Sequence, residues 1–447
     1  MFELHENRWG YRFILGLLIS IGAVILIVLL MLTPLGSGLL KKVIESEING
    51  YIPGAEVTYL DYGINNFSLV VKKGHNEIKV YGAVFPLNAM FEGNIENLSE
   101  ISHDYRGQMS VSGKIFTDKD GFIMDGMSFF ADGYMNFKVK LNDNKIESLK
   151  AKGSDFDIKR LLYIVKINYP WVEGKTDIQI NKKKDSLFNV LLRTDGIYTK
   201  KIKTGFKAVT NIKMKHKNNL IFDSEVNSKI GIIDLKGGLH NTKWEYKFKA
   251  TNVDLLKLKP VLLYPFQKMV NLTGAYESPN DILKFKNKDF EGFENTKIEL
   301  TFKMNSNEFF KYVGTSNIFK GKMSGTVKID DKLGNFNIVS DDTKFYKNGF
   351  TERLKYLTGI DLSKEEIGKI FFKGYFDKNR VVFDMLSTNQ NISLSIKKGK
   401  FVYPDKYHIV LYLRKANNIY KILLTNGTVK VLEKRNFRKT NNKILVF

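Results

Sequence analysis

The side chains that most often carry out chemistry in proteins are few in this 447-residue sequence, and their spacing does not form an active site. The histidines show neither the H-x-x-x-H nor the H-E-x-x-H spacing of zinc hydrolases. They stand at positions 5, 75, 103, 216, 240 and 408. His75 and Glu77 are two residues apart in a predicted turn, without another ligand pattern nearby, so we expect them to be surface residues. Cysteine is absent, which excludes thiolate and disulfide chemistry.

Two short fragments imitate motifs from penicillin-binding proteins, and a third imitates a calcium loop. Ser395 begins an S-x-x-K match and Lys203 begins a K-T-G match, but their order is reversed and S-D-N is missing. Asp118, Asp120 and Asp125 surround glycines, yet the third ligand position is Phe122 and the closing Glu is absent. A hairpin turn explains these aspartates better. The sequence therefore predicts a protein that is not an enzyme, with no catalytic residues, no metal site and no cofactor.

Period-two alternation of apolar and polar residues dominates the chain after Lys41 and sets the fold class. Such alternation places one face of a strand on apolar material and the other in water, as in half-buried antiparallel sheets. The clearest examples are 135–141, 244–250, 298–304 and 392–396. We therefore expect a mainly β protein, with a long antiparallel sheet and a few short helices. Its apolar face can be hidden by closure of the sheet, by a second sheet, or by curling around acyl chains.

An apolar segment near the N-terminus predicts a membrane anchor. Apart from Phe13, Ser20, Met31 and two glycines, residues 13–32 carry only aliphatic side chains, and about twenty such residues span a bilayer core of roughly 30 Å. The alternative is a cleaved signal peptide, whose apolar region is usually shorter, about 7 to 15 residues. Basic residues flank both ends of the segment equally, so the positive-inside rule does not decide the orientation. We favour a short cytoplasmic tail and a large domain on the far side of the membrane.

The predicted organisation comprises a tail over 1–12, a transmembrane anchor over 13–35, an amphipathic helix over 36–50, a β domain over 51–432 and a basic tail over 433–447. The net charge of +23 comes mostly from Lys spread at alternate strand positions, so it indicates a solvated face and not a nucleic-acid site. The only compact basic cluster lies in the last tail. We expect that tail to be solvated, with contact to anionic lipid headgroups as the alternative.

Turn and helix signals interrupt the strands. Hairpin connections are predicted at 118–121, 142–144, 330–335 and 397–400, and helices at 39–48, 158–164, 254–270 and 351–357. A degenerate repeat places an Asp-Ile or Asp-Leu step after an alternating strand, at Asp157, Asp254 and Asp361, with a weaker echo at 96–101. Its spacing is too uneven for a strict solenoid.

These features together resemble the AsmA-like family of bacterial envelope proteins, which includes TamB. The residues that carry the resemblance are the end of the anchor at 33–41, the amphipathic segment 43–48, the strand entry 52–57 and the repeated Asp steps. The resemblance covers essentially the whole chain, although this chain is shorter than the large members of the family.

The resemblance implies a twisted, taco-like β-groove with an apolar lining, tethered to the bacterial inner membrane as a single-pass protein with its large domain in the periplasm. It implies carriage of phospholipid between the inner and outer membranes, and no nucleic-acid partner. The alternative is a scaffold that assembles outer-membrane proteins by strand addition, with outer-membrane or periplasmic proteins as partners. On the lipid hypothesis, the candidate lining residues are Phe137, Val139, Leu141, Trp244, Tyr246, Phe248, Ile298, Leu300, Phe302, Leu394 and Ile396.

Overall fold

The computed structural model of the protein describes residues 37–63, 65–142, 145–216, 219–241, 243–278, 282–403, 406–426 and 428–436. These residues are mainly antiparallel β and form one sheet of 26 strands, which confirms the predicted fold class at this level. None of the helices described is both long enough and apolar enough to cross a membrane. The anchor predicted over 13–35 lies outside the described residues.

The described residues divide into two compact units, the first containing residues up to 229 together with 233–244, and the second containing 230–232 and residues from 245 onward. In unit 1, consecutive strands from the first to the twelfth pair antiparallel. The strands of this unit are β1 Glu56–Tyr62, β2 Asn66–Lys73, β3 Asn76–Ala83, β4 Asn88–Ile95, β5 Met109–Asp118, β6 Gly121–Phe130, β7 Gly133–Asn142, β8 Lys145–Asp157, β9 Val172–Lys182, β10 Phe188–Tyr198, β11 Thr204–His216, β12 Asn219–Ser228 and β13 Ile232–His240.

Three helices belong to unit 1: α1 Ser37–Tyr51, α2 Leu98–Ile101 and α3 Ile158–Ile164. Helix α1 lies where the sequence predicts an amphipathic helix over 36–50. Its Ile44 and Ile48, together with Ile52 just beyond it, are buried in one core with Val57 and Leu69 of the first two strands. One side of α1 therefore covers the apolar face of the sheet at its β1 end.

In unit 2, consecutive strands again pair antiparallel. They are β14 Lys243–Asp254, β15 Met269–Glu277, β16 Ile282–Lys286, β17 Phe290–Glu294, β18 Ile298–Asn305, β19 Phe319–Ile329, β20 Gly334–Phe345, β21 Gly368–Phe376, β22 Arg380–Ser387, β23 Ile392–Val402, β24 Lys406–Lys415, β25 Asn418–Thr425 and β26 Thr428–Asn436. The helices are α4 Lys259–Leu262, α5 Ser306–Val313 and α6 Gly349–Thr358, with a 3₁₀ turn at Leu362–Lys364. Leu354 of α6 and Leu362 are fully buried in the main core of this unit.

Several local predictions change in the structure. The helices near 158–164 and 351–357 are confirmed, but within 254–270 only α4 is helical, because β14 continues to Asp254 and Pro265 follows the helix end closely. The hairpin predicted at 397–400 is wrong: β23 runs through it, with a β-bulge between Ile396 and Lys400. Strand β26 also extends four residues into the predicted tail over 433–447.

The repeated Asp steps have a common local structure. Asp157 and Asp361 each accept a backbone N–H as helix N-caps, from Arg160 and Ser363 respectively, and Asp254 accepts the N–H of Leu256 at the end of β14. Each carboxylate thus satisfies a backbone donor where the chain leaves its previous element. The expectation that every step follows a strand is wrong for Asp361, which comes after α6.

In the first two repeats the strand also ends in the same way, with a β-bulge just before the Asp. Asp155 and Asn252 have positive φ angles of 64° and 55°, a conformation that Asp and Asn tolerate better than most residues. The backbone N–H of each donates to a side-chain oxygen on the next strand, Asp177 at 3.2 Å and Asn271 at 2.9 Å. The sequence similarity of these two repeats therefore reflects a recurring local structure, in which a β-bulge ends one strand and the following Asp begins a turn.

Candidate functional site

An apolar pocket of about 350 Å³ lies on the inward face of β5 to β9 in unit 1. The inward face is the one that carries the buried residues of each strand, for example Val139 at 3% exposure. The volume is at the lower end of the range of ligand pockets, roughly 300 to 1,000 Å³. The pocket is lined by Leu98, Tyr105, Met109, Val111, Met124, Ser128, Phe130, Met135, Phe137, Val139, Leu149, Ala151, Ile164 and Ile180.

Glycines opposite large aromatic rings shape the side of the pocket nearest to β1. Gly113 and Gly126 are register partners on β5 and β6, and a Cβ on either one would meet a phenylalanine ring. The added atom would lie 2.8 Å from Phe91 at Gly113 and 3.1 Å from Phe137 at Gly126. The two ring centroids are 6.4 Å apart. The glycines thus leave the space in which these rings pack across the sheet, between the α1-covered core and the pocket.

Two segments beyond the strand ends contribute further lining. Leu98 comes from α2, Tyr105 from the loop after it, and Ile164 from the end of α3. Backbone hydrogen bonds join these segments: Arg106 donates to the carbonyl of Ile164 at 3.0 Å, and Leu98 donates within the loop to Gly107 at 2.8 Å. Burial raises the pKa of the Tyr105 phenol, so its ring enters the lining in the neutral form.

The inward face continues past the pocket as a row of register partners, one per strand, that we call the apolar row. Cross-strand pairing joins each member to the next. Ala151 and Val190 are buried, at 6% and 8% exposure, whereas the other members are only half-buried. The apolar row consists of Phe137, Ala151, Ile180, Val190, Ile212 and Phe222.

The few polar side chains beside the apolar row satisfy one another. The hydroxyls of Thr176 and Thr194 lie 3.0 Å apart, and those of Thr210 and Ser224 lie 2.8 Å apart. These pairs are register partners on the inward face of β9 to β12. Hydroxyls that bond one another across strands leave the face suited to an apolar ligand. The arrangement can bury a hydrocarbon chain, and its geometry provides no nucleophile and no acid–base pair.

The structure brings some of the sequence-predicted lining residues to this site. Phe137 and Val139 line the pocket, and Leu141 is buried further along β7 in the α1-covered core. Trp244, the last residue of unit 1, keeps 42% of its surface exposed and lies 6.2 Å from the ring of Phe222, at the end of the apolar row.

The other predicted lining residues lie in unit 2 and mostly pack into its cores. Phe302, Leu394 and Ile396 are buried in the main core, and Ile298 and Leu300 pack against a second, smaller one. Tyr246 and Phe248 are half-buried on β14, where Tyr246 stacks on Tyr276 at 4.9 Å and Phe248 covers Gly274.

Sequence reasoning missed the apolar row beyond Phe137. Part of the signal was present, because Ile178 and Ile180 alternate with polar residues in β9, but three consecutive apolar residues from Val190 interrupt the alternation of β10. Alternation gives the face of each residue, but not the cross-strand register. Register is what places Ala151 between Phe137 and Ile180.

Unit 2 contains a half-buried ionic cluster around Lys268. Lys268 Nζ lies 2.7 Å from Glu308 and 3.1 Å from Asp289, and 4.1 Å from the centre of the Tyr312 ring. Burial opposes the charge of Lys268, but its hydrogen bonds to Glu308 and Asp289 raise its pKa overall. Burial, and then a hydrogen bond to Asp289, raises the pKa of Tyr312 to about 12. Each member has a partner, so the cluster ties the loop at Lys268 to α5.

Within the described ranges, no three His, Cys, Asp or Glu side chains are grouped so that they could hold a metal ion. No family model matches the sequence, and neither does any curated protein.

Proposed function

We propose that the pocket and the apolar row bind the acyl chains of phospholipid. On this proposal the protein is an AsmA-like, inner-membrane-anchored carrier that moves phospholipid between the inner and outer membranes through the periplasm. The observation that carries the proposal is that the members of the apolar row on β9, β11 and β12 are only half-buried. Where α1 covers the sheet, the inward residues are buried, whereas Ile180, Ile212 and Phe222 keep apolar surface that a ligand could cover.

The energetic gain from such a ligand is substantial. Each buried methylene contributes about 0.8 kcal/mol, so a chain that places ten of them against this face gains roughly 8 kcal/mol. The headgroup needs no charged socket, because it can stay in water beside the strand ends. A carrier of this kind needs burial along a path and no catalytic group, which agrees with the absence of a catalytic pattern in the sequence.

Photo-crosslinking in the full chain tests the proposal. The photoreactive residue p-benzoylphenylalanine replaces either Phe137, which lines the pocket, or Tyr134, which is half-exposed on the opposite face of the same strand. After irradiation in membranes, mass spectrometry should find phospholipid adducts at position 137 and far fewer at position 134. Equal yields at the two positions, or no lipid adduct at position 137, would refute lipid binding in the pocket.

The second candidate is strand addition to unfolded outer-membrane proteins. It rests on β26, the last strand among the described residues, which hydrogen-bonds to β25 and on this hypothesis would pair with a client along its other edge. The two candidates can be separated by experiment, because a polar substitution on the inward face should weaken lipid binding and leave the backbone edge of β26 unchanged.

A further inference from the structure

A short stretch that begins in the last turn of α3 exposes more large apolar side chains than any comparable part of the described chain. Between 163 and 171, five alternate residues are exposed. They are Tyr163 at 56%, Val165 at 44%, Ile167 at 54%, Tyr169 at 45% and Trp171 at 39%. Scattered exposed apolar residues are normal on protein surfaces, but five within nine residues of sequence favour a surface for interaction.

Lysines lie directly beside this stretch, on the turn between β10 and β11. Thr199 donates its backbone N–H to the carbonyl of Trp171 at 2.8 Å, which fixes this turn against the stretch. Lys200 Nζ lies 6.0 Å from the centre of the Trp171 ring. We call residues 163–171 and 199–203 together the aromatic–lysine edge.

The charge of the aromatic–lysine edge is entirely positive. It contains four lysines, at positions 166, 200, 201 and 203, and neither Asp nor Glu. The edge therefore combines exposed aromatic and aliphatic side chains with a positive formal charge.

We propose that the aromatic–lysine edge docks on the surface of an anionic phospholipid bilayer. Trp and Tyr prefer the membrane interface because one end of each ring system is apolar and the other is polar. Lysines next to them are attracted to anionic headgroups. A protein partner would have to supply acidic groups and an apolar surface together, whereas an anionic bilayer provides both without further specificity.

In the sequence, the residues of the aromatic–lysine edge are distinct from the predicted anchor over 13–35 and from the predicted basic tail over 433–447. Ile164 connects the aromatic–lysine edge to the pocket, because Ile164 lines the pocket while its neighbours Tyr163 and Val165 are exposed. Docking here would bring a bilayer surface to the strand ends beside the pocket. The proposal does not rest on lipid transport, because a scaffold that works at a membrane could use the same contact.

A fluorescent label placed on the edge tests this proposal. The chain has no cysteine, so a single introduced cysteine labels one position. Ile167→Cys places the environment-sensitive dye NBD on the edge. Ile221→Cys is the matched control, because Ile221 is similarly exposed, at 48%, on the outward face of β12. The full chain is held in phosphatidylcholine nanodiscs and mixed with separate vesicles of phosphatidylcholine, with or without phosphatidylglycerol.

The dye at position 167 should brighten and shift to the blue with phosphatidylglycerol vesicles only, and the dye at 221 should not respond. Adding Lys200→Glu and Lys203→Glu should weaken vesicle binding at least about 25-fold, since each lysine near an anionic surface contributes roughly fivefold. Raising the ionic strength from about 0.1 M to about 1 M, which shortens the Debye length from about 10 Å to about 3 Å, should also weaken it.

Three results would overturn the proposal: no response at 167, equal responses at 167 and 221, or unchanged binding after the lysine substitutions. Binding without charge dependence would indicate general hydrophobic adsorption. Circular dichroism of each variant verifies that the sheet is intact. The lipid adducts at position 137 are measured independently, so failure of bilayer docking and failure of lipid binding can be told apart.

Discussion

Replacing Gly126 by Ala should destabilise unit 1 by disturbing the rings that separate the α1-covered core from the pocket. A Cβ at this position would lie 2.3 Å from the carbonyl oxygen of Ser112 and 3.1 Å from the ring of Phe137. The distance to the Ser112 oxygen is shorter than the contacts that Cβ atoms make in real proteins, so the backbone or the ring must move. Overpacking of this kind costs about 1 to 3 kcal/mol. For a unit of this size each kcal/mol lowers the melting temperature by roughly 2 to 4 °C, so we expect a decrease of about 2 to 12 °C.

The matched control is Gly205→Ala on β11, where the new Cβ would have no neighbour closer than 3.9 Å. There the substitution should leave the melting temperature unchanged or raise it slightly, because alanine restricts the unfolded chain more than glycine does. Scanning calorimetry of the full chain measures both variants. If Gly126→Ala melts as high as Gly205→Ala, the close packing of this glycine against the Ser112 carbonyl and the Phe137 ring is wrong, and so is the boundary of the pocket that depends on it.

Two further predictions concern the apolar row and the ionic cluster. Ile180→Asp should weaken phospholipid binding by about tenfold or more, measured as lipid recovered per chain by mass spectrometry, because burial of an Ile side chain contributes about 1.5 to 3 kcal/mol. The neighbouring Gln179→Asp, on the outward face, should retain lipid, and equal loss in both variants would contradict the role of the row. Hydrogen bonds from Lys268 and Lys311 lower the pKa of Glu308 from 4.5 to about 2. The ionic contribution of Glu308 to stability should therefore be complete above about pH 4.5 and lost as the pH falls toward 2. The difference in melting temperature between the wild type and Glu308→Gln should accordingly become smaller between pH 4.5 and pH 2. A difference that stays constant over this interval would contradict the role of Glu308.

The sequence predicts the fold class well, because period-two alternation and hairpin turns are local properties. It also predicts α3 to the residue, since Asp157 caps the helix directly after a strand. It fails where local signals compete. Lys397, Lys398 and Gly399 have the composition of a turn, yet β23 continues through them as a bulge in which Lys398 donates its backbone N–H to Asp384. That bond comes from the neighbouring strand and cannot be seen in the local sequence.

The candidate site was only partly predictable for a related reason. Alternation marks the apolar face of every strand equally, so it predicts Leu394 and Phe137 as lining residues on the same grounds. The difference between them depends on what covers each face. Leu394 is 1% exposed in a core closed by long-range packing, whereas Phe137 begins a row that opens onto half-buried strands. Whether an apolar face is dry or available to a ligand is thus a tertiary property.

The positive charge of the chain also has to be interpreted from the side chains that surround each lysine. On the outward face, Lys138 lies opposite Asp125 and Lys207 lies opposite Asp195, as register partners at 3.4 Å and 3.6 Å. Exposed pairs of this kind contribute little free energy, but they balance charge locally and favour the observed register. A net charge of +23 is therefore a poor guide to partners when it is averaged over the chain. It becomes informative where lysines are concentrated beside exposed aromatic side chains, as in residues 163–171 and the adjoining lysine turn.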